Sequence, residues 1–177
     1  IFLNTDKGAE VVAKIKEVAA VQEISSENIK AVQTKREAVK KELKKSYNNL
    51  PDYEETGKLV SKAKDAIWEK YAKSCVSCGA CATICPTCTC FLLIDRPDFE
   101  KVRQVDACQY PGFERIAAGE DPLGRKFVRF RNRYLCKYVW KPESFESIAC
   151  TGCGRCIESC IGNINKNELF TELVNKK

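Results

Sequence analysis

Cys75-Val-Ser-Cys78-Gly-Ala-Cys81-Ala-Thr-Ile-Cys85-Pro86 is the stretch that decides how this sequence is read. Three cysteines are spaced two residues apart, and a fourth follows after three more residues, directly before a proline. The spacing returns at Cys150-Thr-Gly-Cys153-Gly-Arg-Cys156-Ile-Glu-Ser-Cys160, with Ile161 where the proline stood. In a loop of this kind the first three thiolates wrap one iron–sulfur cubane, and the fourth points away to ligate a second. Gly79 in the first motif, and Gly152 and Gly154 in the second, supply the backbone freedom such a loop needs. By the crossed rule, Cys75, Cys78, Cys81 and Cys160 hold one [4Fe–4S] cluster, and Cys150, Cys153, Cys156 and Cys85 hold the other. Zinc and disulfides are the competing readings. Zinc prefers two cysteine pairs separated by a longer linker. A disulfide framework suits a short secreted chain, and the opening IFLNTDKGAE is too short and too polar for a secretory signal.

Working outward, the cysteines divide the chain. Residues 1–74 contain none, and residues 75–160 contain all 12. Cys88, Cys90, Cys108 and Cys136 lie outside the two motifs, and four thiols are what a third cubane needs. Buried structural thiols are the alternative for this set, with a redox-active disulfide within it as a further one.

The 177 residues are 44% hydrophobic and 31% charged, ordinary for a globular protein. No apolar run reaches the roughly 18 residues of a membrane span. There is no His, which excludes His-based acid–base and triad chemistry and His-ligated metals within this chain. No Walker A motif occurs, and no G-x-G-x-x-G follows a strand. The formal charge of +6 counts every Cys as neutral. Each thiolate-bound oxidised cubane adds roughly −2, so three would leave the loaded protein about neutral. The basic balance therefore does not by itself indicate nucleic acid. The chain has no Met and opens at Ile1, and it is expected to be a piece of a longer protein.

Residues 1–73 read as helical. Val11, Ile15, Val18 and Ala19 recur at helical spacing. Ser25 or Ser26 caps a second helix carrying Ile29, Val32, Val39 and Leu43, and Asn48, Asn49 and Pro51 break it. A third helix is expected from about Thr56 to Lys73, burying Leu59, Ala63, Ile67 and Tyr71 with Trp68 beside them. This segment is either a helical hairpin packed on the following domain or a docking arm for a larger subunit. Residues 91–149 form a long insertion between the motifs, with turns at Arg96-Pro97-Asp98, Tyr110-Pro111-Gly112 and Asp121-Pro122-Leu123-Gly124. It must fold back to bring the motifs together. Seven Lys/Arg lie between Arg125 and Lys141 with no acid among them, in a stretch that reads as a strand or an amphipathic helix. They donate charge and hydrogen bonds to the clusters, or form a docking face, or bind nucleic acid with help from Phe127, Phe130, Tyr134, Tyr138 and Trp140. The tail is expected to close as a helix with Leu169, Phe170 and Leu173 inward.

The expected fold is α+β and mostly helical with loops. It is a ferredoxin-like dicluster domain over 74–177, interrupted by the insertion, and preceded over 1–73 by a helical segment ending a truncated upstream domain.

The runs CVSCGACATICPTCTCF, DACQYPGFERIAAGEDP, RFRNRYLCKY and CTGCGRCIESC resemble the iron–sulfur β subunit of sulfhydrogenase-type (soluble) NiFe hydrogenases. The A subunit of anaerobic sulfite reductases belongs to the same group. The likeness covers residues 56–165, and IFLNTDKGAEVVAKI is similar to a segment that precedes the cluster domain there. The sequence departs from the family in three places. Ala117-Ala118-Gly119-Glu120 stands for a Gly-Gly-His-Asn run, Cys136-Lys137 stands for His-Lys, and Cys160-Ile161 stands for Cys-Pro. A ligating His replaced by Cys136 would keep a third cluster fully thiolate-bound.

The resemblance implies an electron-transfer subunit of a cytoplasmic multi-subunit oxidoreductase. It would relay single electrons through two or three [4Fe–4S] clusters, between a flavin/NAD(P)H-type subunit and a catalytic hydrogenase- or reductase-like subunit. Catalysis would lie in those flavin- or NiFe-type partners and not in this chain, with neither membrane nor nucleic acid involved. An iron–sulfur nucleic-acid-binding or RNA-modifying protein is the alternative. A reductase that binds substrate at one open cluster is a third reading.

Overall fold

A computed structural model describes residues 3–47 and 49–176. Part of the expected break at Asn48, and Ile1 and Phe2 of the opening stretch, lie outside the described residues. The chain divides into two compact units, Ile1–Asn48 and Asn49–Lys177.

The first unit holds α1 (Asp6–Val18) and α2 (Ser26–Ser46). Thr5 caps α1 by accepting from the Gly8 N–H at 3.1 Å, and Ser25, not Ser26, caps α2 by accepting from the Asn28 N–H at 3.3 Å. Each satisfies an amide that the first helical turn leaves without a partner. The helical periodicity is as expected, but no residue of either helix is buried. Val11, Val18, Val32, Val39 and Leu43 are all exposed.

The second unit begins with a correction. The expected helix from Thr56 to Lys73 is two helices, α3 (Tyr53–Lys62) and α4 (Asp65–Ala72). The break falls at Ala63 and Lys64, whose ψ angles of 130° and 152° are extended. Asp52 starts α3 by accepting from the Glu55 N–H. The bend lets both short helices face one core: Leu59, Val60, Ile67, Trp68 and Ala72 are buried, and Trp68 is fully enclosed. Ala63 and Tyr71 are only half-buried. The cysteine-based division at 73/74 marks where ligand-bearing residues begin. The compact units divide at 48/49, since α3 and α4 pack into the same core as helices within the insertion (Phe130, Tyr134, Tyr138) and after it (Leu169, Phe170, Leu173).

A short helix, α5 (Ala80–Thr83), lies inside the first motif. β1 (Phe91–Asp95) and β2 (Lys101–Val105) then form an antiparallel hairpin, with Phe91 opposite Val105 and the expected Arg96-Pro97-Asp98 turn at its tip. The basic aromatic stretch is helical: α6 (Lys126–Leu135), a wider π-helical turn over Cys136–Trp140, and α7 (Lys141–Phe145). The second motif contains α8 (Arg155–Glu158), and α9 (Lys166–Asn175) closes the chain with Leu169, Phe170 and Leu173 buried, as the tail pattern predicts.

The rod from α6 into the π turn has two buried faces one residue apart in register, about 100° around a helix. Phe130, Tyr134 and Tyr138 form the aromatic face. Tyr134 stands 5.3 Å from Trp68, and the Tyr134 and Tyr138 rings meet Phe170 edge-on at 6.0 and 5.0 Å. Such pairs each add about 0.5–1.5 kcal/mol beyond burial. Arg129, Arg133, Lys137 and Lys141 form the adjacent cationic face, which turns toward the cysteine loops.

Candidate metal centre

The two motifs are brought together, as the insertion required. α5 and α8 adjoin. Gly162, just past the second motif, sits against the Ser74 carbonyl that precedes the first, where a Cβ would collide with backbone. Gly79 (φ 72°) and Gly154 (φ 77°) open the two short helices in the left-handed region that favours glycine.

Two neighbouring cavities open between the motifs. One is lined by Cys75, Cys78, Cys81, Cys156 and Cys160. The other is lined by Cys85, Cys150, Cys153 and Cys156. Each cavity thus takes three sulfurs from one motif and the last cysteine of the other, and Cys156 is shared by the two cavities. Among the described residues, no three Cys, Asp or Glu side chains converge closely enough to hold a single metal ion.

The remaining cysteines follow the hairpin. Its base joins the Asp106 N–H to the Cys90 carbonyl at 3.1 Å, which sets Cys90 beside Cys108. The Cys108 thiol donates to Cys90, which lowers Cys90 and raises Cys108 in turn. Cys136, at the start of the π turn, is within electrostatic reach of Cys90. Cys88 leans instead toward Cys85 and Lys137. So Cys90, Cys108 and Cys136 neighbour one another, and Cys88 lies beside Cys85 instead.

Arg133, Lys137 and Lys141 belong to the basic stretch expected to donate charge and hydrogen bonds, whereas Thr87, Gln109 and Lys166 were not singled out from the sequence. Lys137 is 3% exposed. It donates to the Thr87 hydroxyl, which donates to the Ala149 carbonyl at 2.6 Å. Burial raises the Cys85 thiol, but hydrogen bonds from Thr87 and Lys137 outweigh it and bring Cys85 to about 6. Burial pushes Cys81 up to about 11 against the opposing charge of Arg133. Lys166 lies 3.5 Å from Cys150 Sγ. Lys141 donates to the Thr87 carbonyl at 2.5 Å and to the Thr89 hydroxyl at 3.1 Å, fixing the segment between Cys85 and Cys90. The buried Gln109 amide donates to Cys108 Sγ at 3.0 Å and accepts from Cys81 Sγ at 3.5 Å, linking the first cavity to the remaining cysteines. Arg133 Nε is buried without a hydrogen-bond partner. A sulfur-rich anion beside Arg133 would answer that orphaned donor, so the residues present fit a cluster. The recurrence of cations every fourth residue from Arg129 to Lys141 was the signal available in the sequence.

The three readings of the basic stretch are not equally open. Phe130, Tyr134 and Tyr138 are packed in the core and are unavailable to stack on bases.

Residues 74–164 match the 4Fe-4S dicluster domain family. Sulfhydrogenase 2 subunit beta of Pyrococcus furiosus is 35% identical over 111 residues, which cover 60% of this chain and 33% of that protein. The chain thus spans about a third of the length of this curated relative. No solved structure matches. No helix among the described residues is long and apolar enough to cross a membrane.

Proposed function

The chain belongs to the 4Fe-4S dicluster domain family, and we propose that it is the electron-relay subunit of a cytoplasmic, hydrogenase- or reductase-like complex. The observation that carries this reading is the crossed lining of the two cavities. Cys75, Cys78, Cys81 and Cys160 would hold one cluster, and Cys150, Cys153, Cys156 and Cys85 the second. Cys88, Cys90, Cys108 and Cys136 would hold a third. The hairpin and the π turn support that set by gathering three of its four members, with Cys88 reaching from beside Cys85. When bound, each cluster takes up and gives up one electron at a time.

The chain's own residues tune and shield these sites. Lys137 and Lys166 face the sulfurs with positive charge, and hydrogen bonds and charge of that kind raise cluster potentials. The aromatic face of α6 closes one side of the first cavity with Phe130 and Tyr134. The partners would be a flavin- or NiFe-type subunit on either side of the relay, and the catalytic step would lie in them. Residues 74–177 are the electron-carrying part in this reading, and α3 and α4 before them are its support.

Iron and acid-labile sulfide per chain, with EPR of the dithionite-reduced protein, test the proposal. About twelve of each is expected, and about eight would leave the third set as structural thiols. Zinc without sulfide, or iron that shows no reversible one-electron reduction, would overturn the relay.

A further inference from the structure

Arg133 is 8% exposed and keeps its charge under all ordinary conditions. Among the described residues it forms no ion pair with a carboxylate. A buried cation without an answering anion is costly, by roughly several kcal/mol, so an anion is expected beside it. Its Nη2 donates to the Cys81 carbonyl at 2.8 Å, and its Nε has no partner. It borders both cysteine cavities. Its guanidinium lies within electrostatic reach of Cys81, Cys156 and Cys88, and of Cys108 and Cys136. These thiols come from all three proposed ligand sets. The other buried cations are placed differently: Lys137 answers Cys85 and Cys88 and reaches Cys136, Lys166 also lines both cavities but bonds the single thiol of Cys150, and Arg129 is held by backbone carbonyls.

We propose that Arg133 is a shared internal counter-charge for the relay, a positioning residue whose fixed positive charge raises the reduction potentials of more than one cluster at once. The inference rests on the reading that these cysteines ligate clusters. The physical ground is simple. A thiolate-bound cubane is anionic, and each electron adds another negative charge. A cation held in a low-dielectric interior favours the more negative, reduced state of every cluster it can feel. Taking that charge away makes each of those clusters harder to reduce.

The test is an EPR-monitored redox titration of the full chain and of Arg133→Gln, Arg133→Lys and Lys166→Gln, with iron and sulfide measured on each sample. In Arg133→Gln at parental iron content, at least two midpoint potentials shift to lower values. Arg133→Lys keeps them close to the parental ones, and Lys166→Gln moves most the potential of the cluster at Cys150, the one thiol that Lys166 bonds. Arg133→Gln with parental iron and unmoved potentials overturns the proposal, as does a shift confined to one cluster. If Arg133→Gln takes up less iron, Arg133→Lys decides. Parental iron and potentials there uphold the role of charge, whereas equal depletion overturns it and places the role in the bond to the Cys81 carbonyl. A parent chain that holds no iron rejects the relay reading itself, and the counter-charge with it.

Discussion

Cys75–Cys85 and Cys150–Cys160 trace the same path through the backbone. φ is positive at Ser77 (57°) and Gly152 (68°), and again at Gly79 (72°) and Gly154 (77°). A four-residue helix follows in each, closed by matching bonds from the Cys85 N–H to Ala82 and from the Cys160 N–H to Ile157, both at 3.2 Å. Their surroundings differ. Cys85 continues into Pro86 and Thr87 beneath the buried Lys137. Cys160 continues into the exposed Ile161, and its sulfur accepts from the Ile164 N–H at 3.4 Å. Gly79 is pressed by the Tyr110 ring, whereas nothing lies within 4 Å of a Cβ at Gly154. Spacing sets the path of each loop, and elements outside the loop set what its sulfurs experience.

The largest expected effect tests whether the two motifs exchange their last cysteines. Cys75→Ser with Cys160→Ser removes two ligands of one cluster in the crossed arrangement and costs about four irons per chain. Cys75→Ser with Cys85→Ser strikes both clusters and costs about eight. An uncrossed arrangement reverses the two results, so iron analysis of the two double variants breaks or keeps the symmetry.

The glycines grade the next effects. Gly162→Ala drives a Cβ into the Ser74 carbonyl, where both motifs meet. Overpacking against backbone is expected to cost about 3 kcal/mol, roughly 10 °C in the melting temperature of a unit this size. Gly79→Ala combines a left-handed backbone with pressure on Tyr110, which is partly exposed and able to yield. About 2 kcal/mol is expected there. Gly154→Ala meets only the backbone penalty, about 1 kcal/mol. Equal losses for Gly79→Ala and Gly154→Ala in thermal melts would mean that Tyr110 does not distinguish the loops.

The comparison also explains what the sequence could reveal. The motif spacing is local, and it carried the paired loops, the need for the insertion to fold back and the family of the domain. The helical periods of α1, α2 and α9 are local too. The break at Ala63 and Lys64 has no Gly or Pro to announce it. It arises because Leu59 and Trp68 must reach one core, which only packing determines. The hairpin was legible only as its tip, since Phe91, Leu92 and Leu93 show no alternation of exposed and buried positions. The basic stretch was ambiguous because both of its inward faces are buried, one aromatic and one cationic. Where the charged residues also turn inward, the polar face no longer marks the solvent side, and the pattern does not say which face is core. Thr87 and Gln109 gain their roles from partners far along the chain or across a turn, and no spacing predicts them.

The smallest effect probes a restraint that only the second motif has. Tyr53 donates to the Lys137 carbonyl at 2.5 Å and accepts from the Ala149 N–H at 2.9 Å, tying the π turn to the residue before Cys150. Tyr53 is half-buried and both bonds are only partly shielded, so in Tyr53→Phe water can replace the hydroxyl while the ring stays against Tyr138. Lost bonds of this kind cost about 1 kcal/mol in net stability. The more telling readout is local. Cys150 should lose its fixed approach to the second cavity, whereas Cys75, Cys78 and Cys81 keep theirs. Iron release to a chelator should therefore become biphasic, with about four irons leaving faster than the rest. A uniform acceleration would mean that the two cavities open as one, and that the asymmetry of their surroundings does not extend to how firmly each holds its metal.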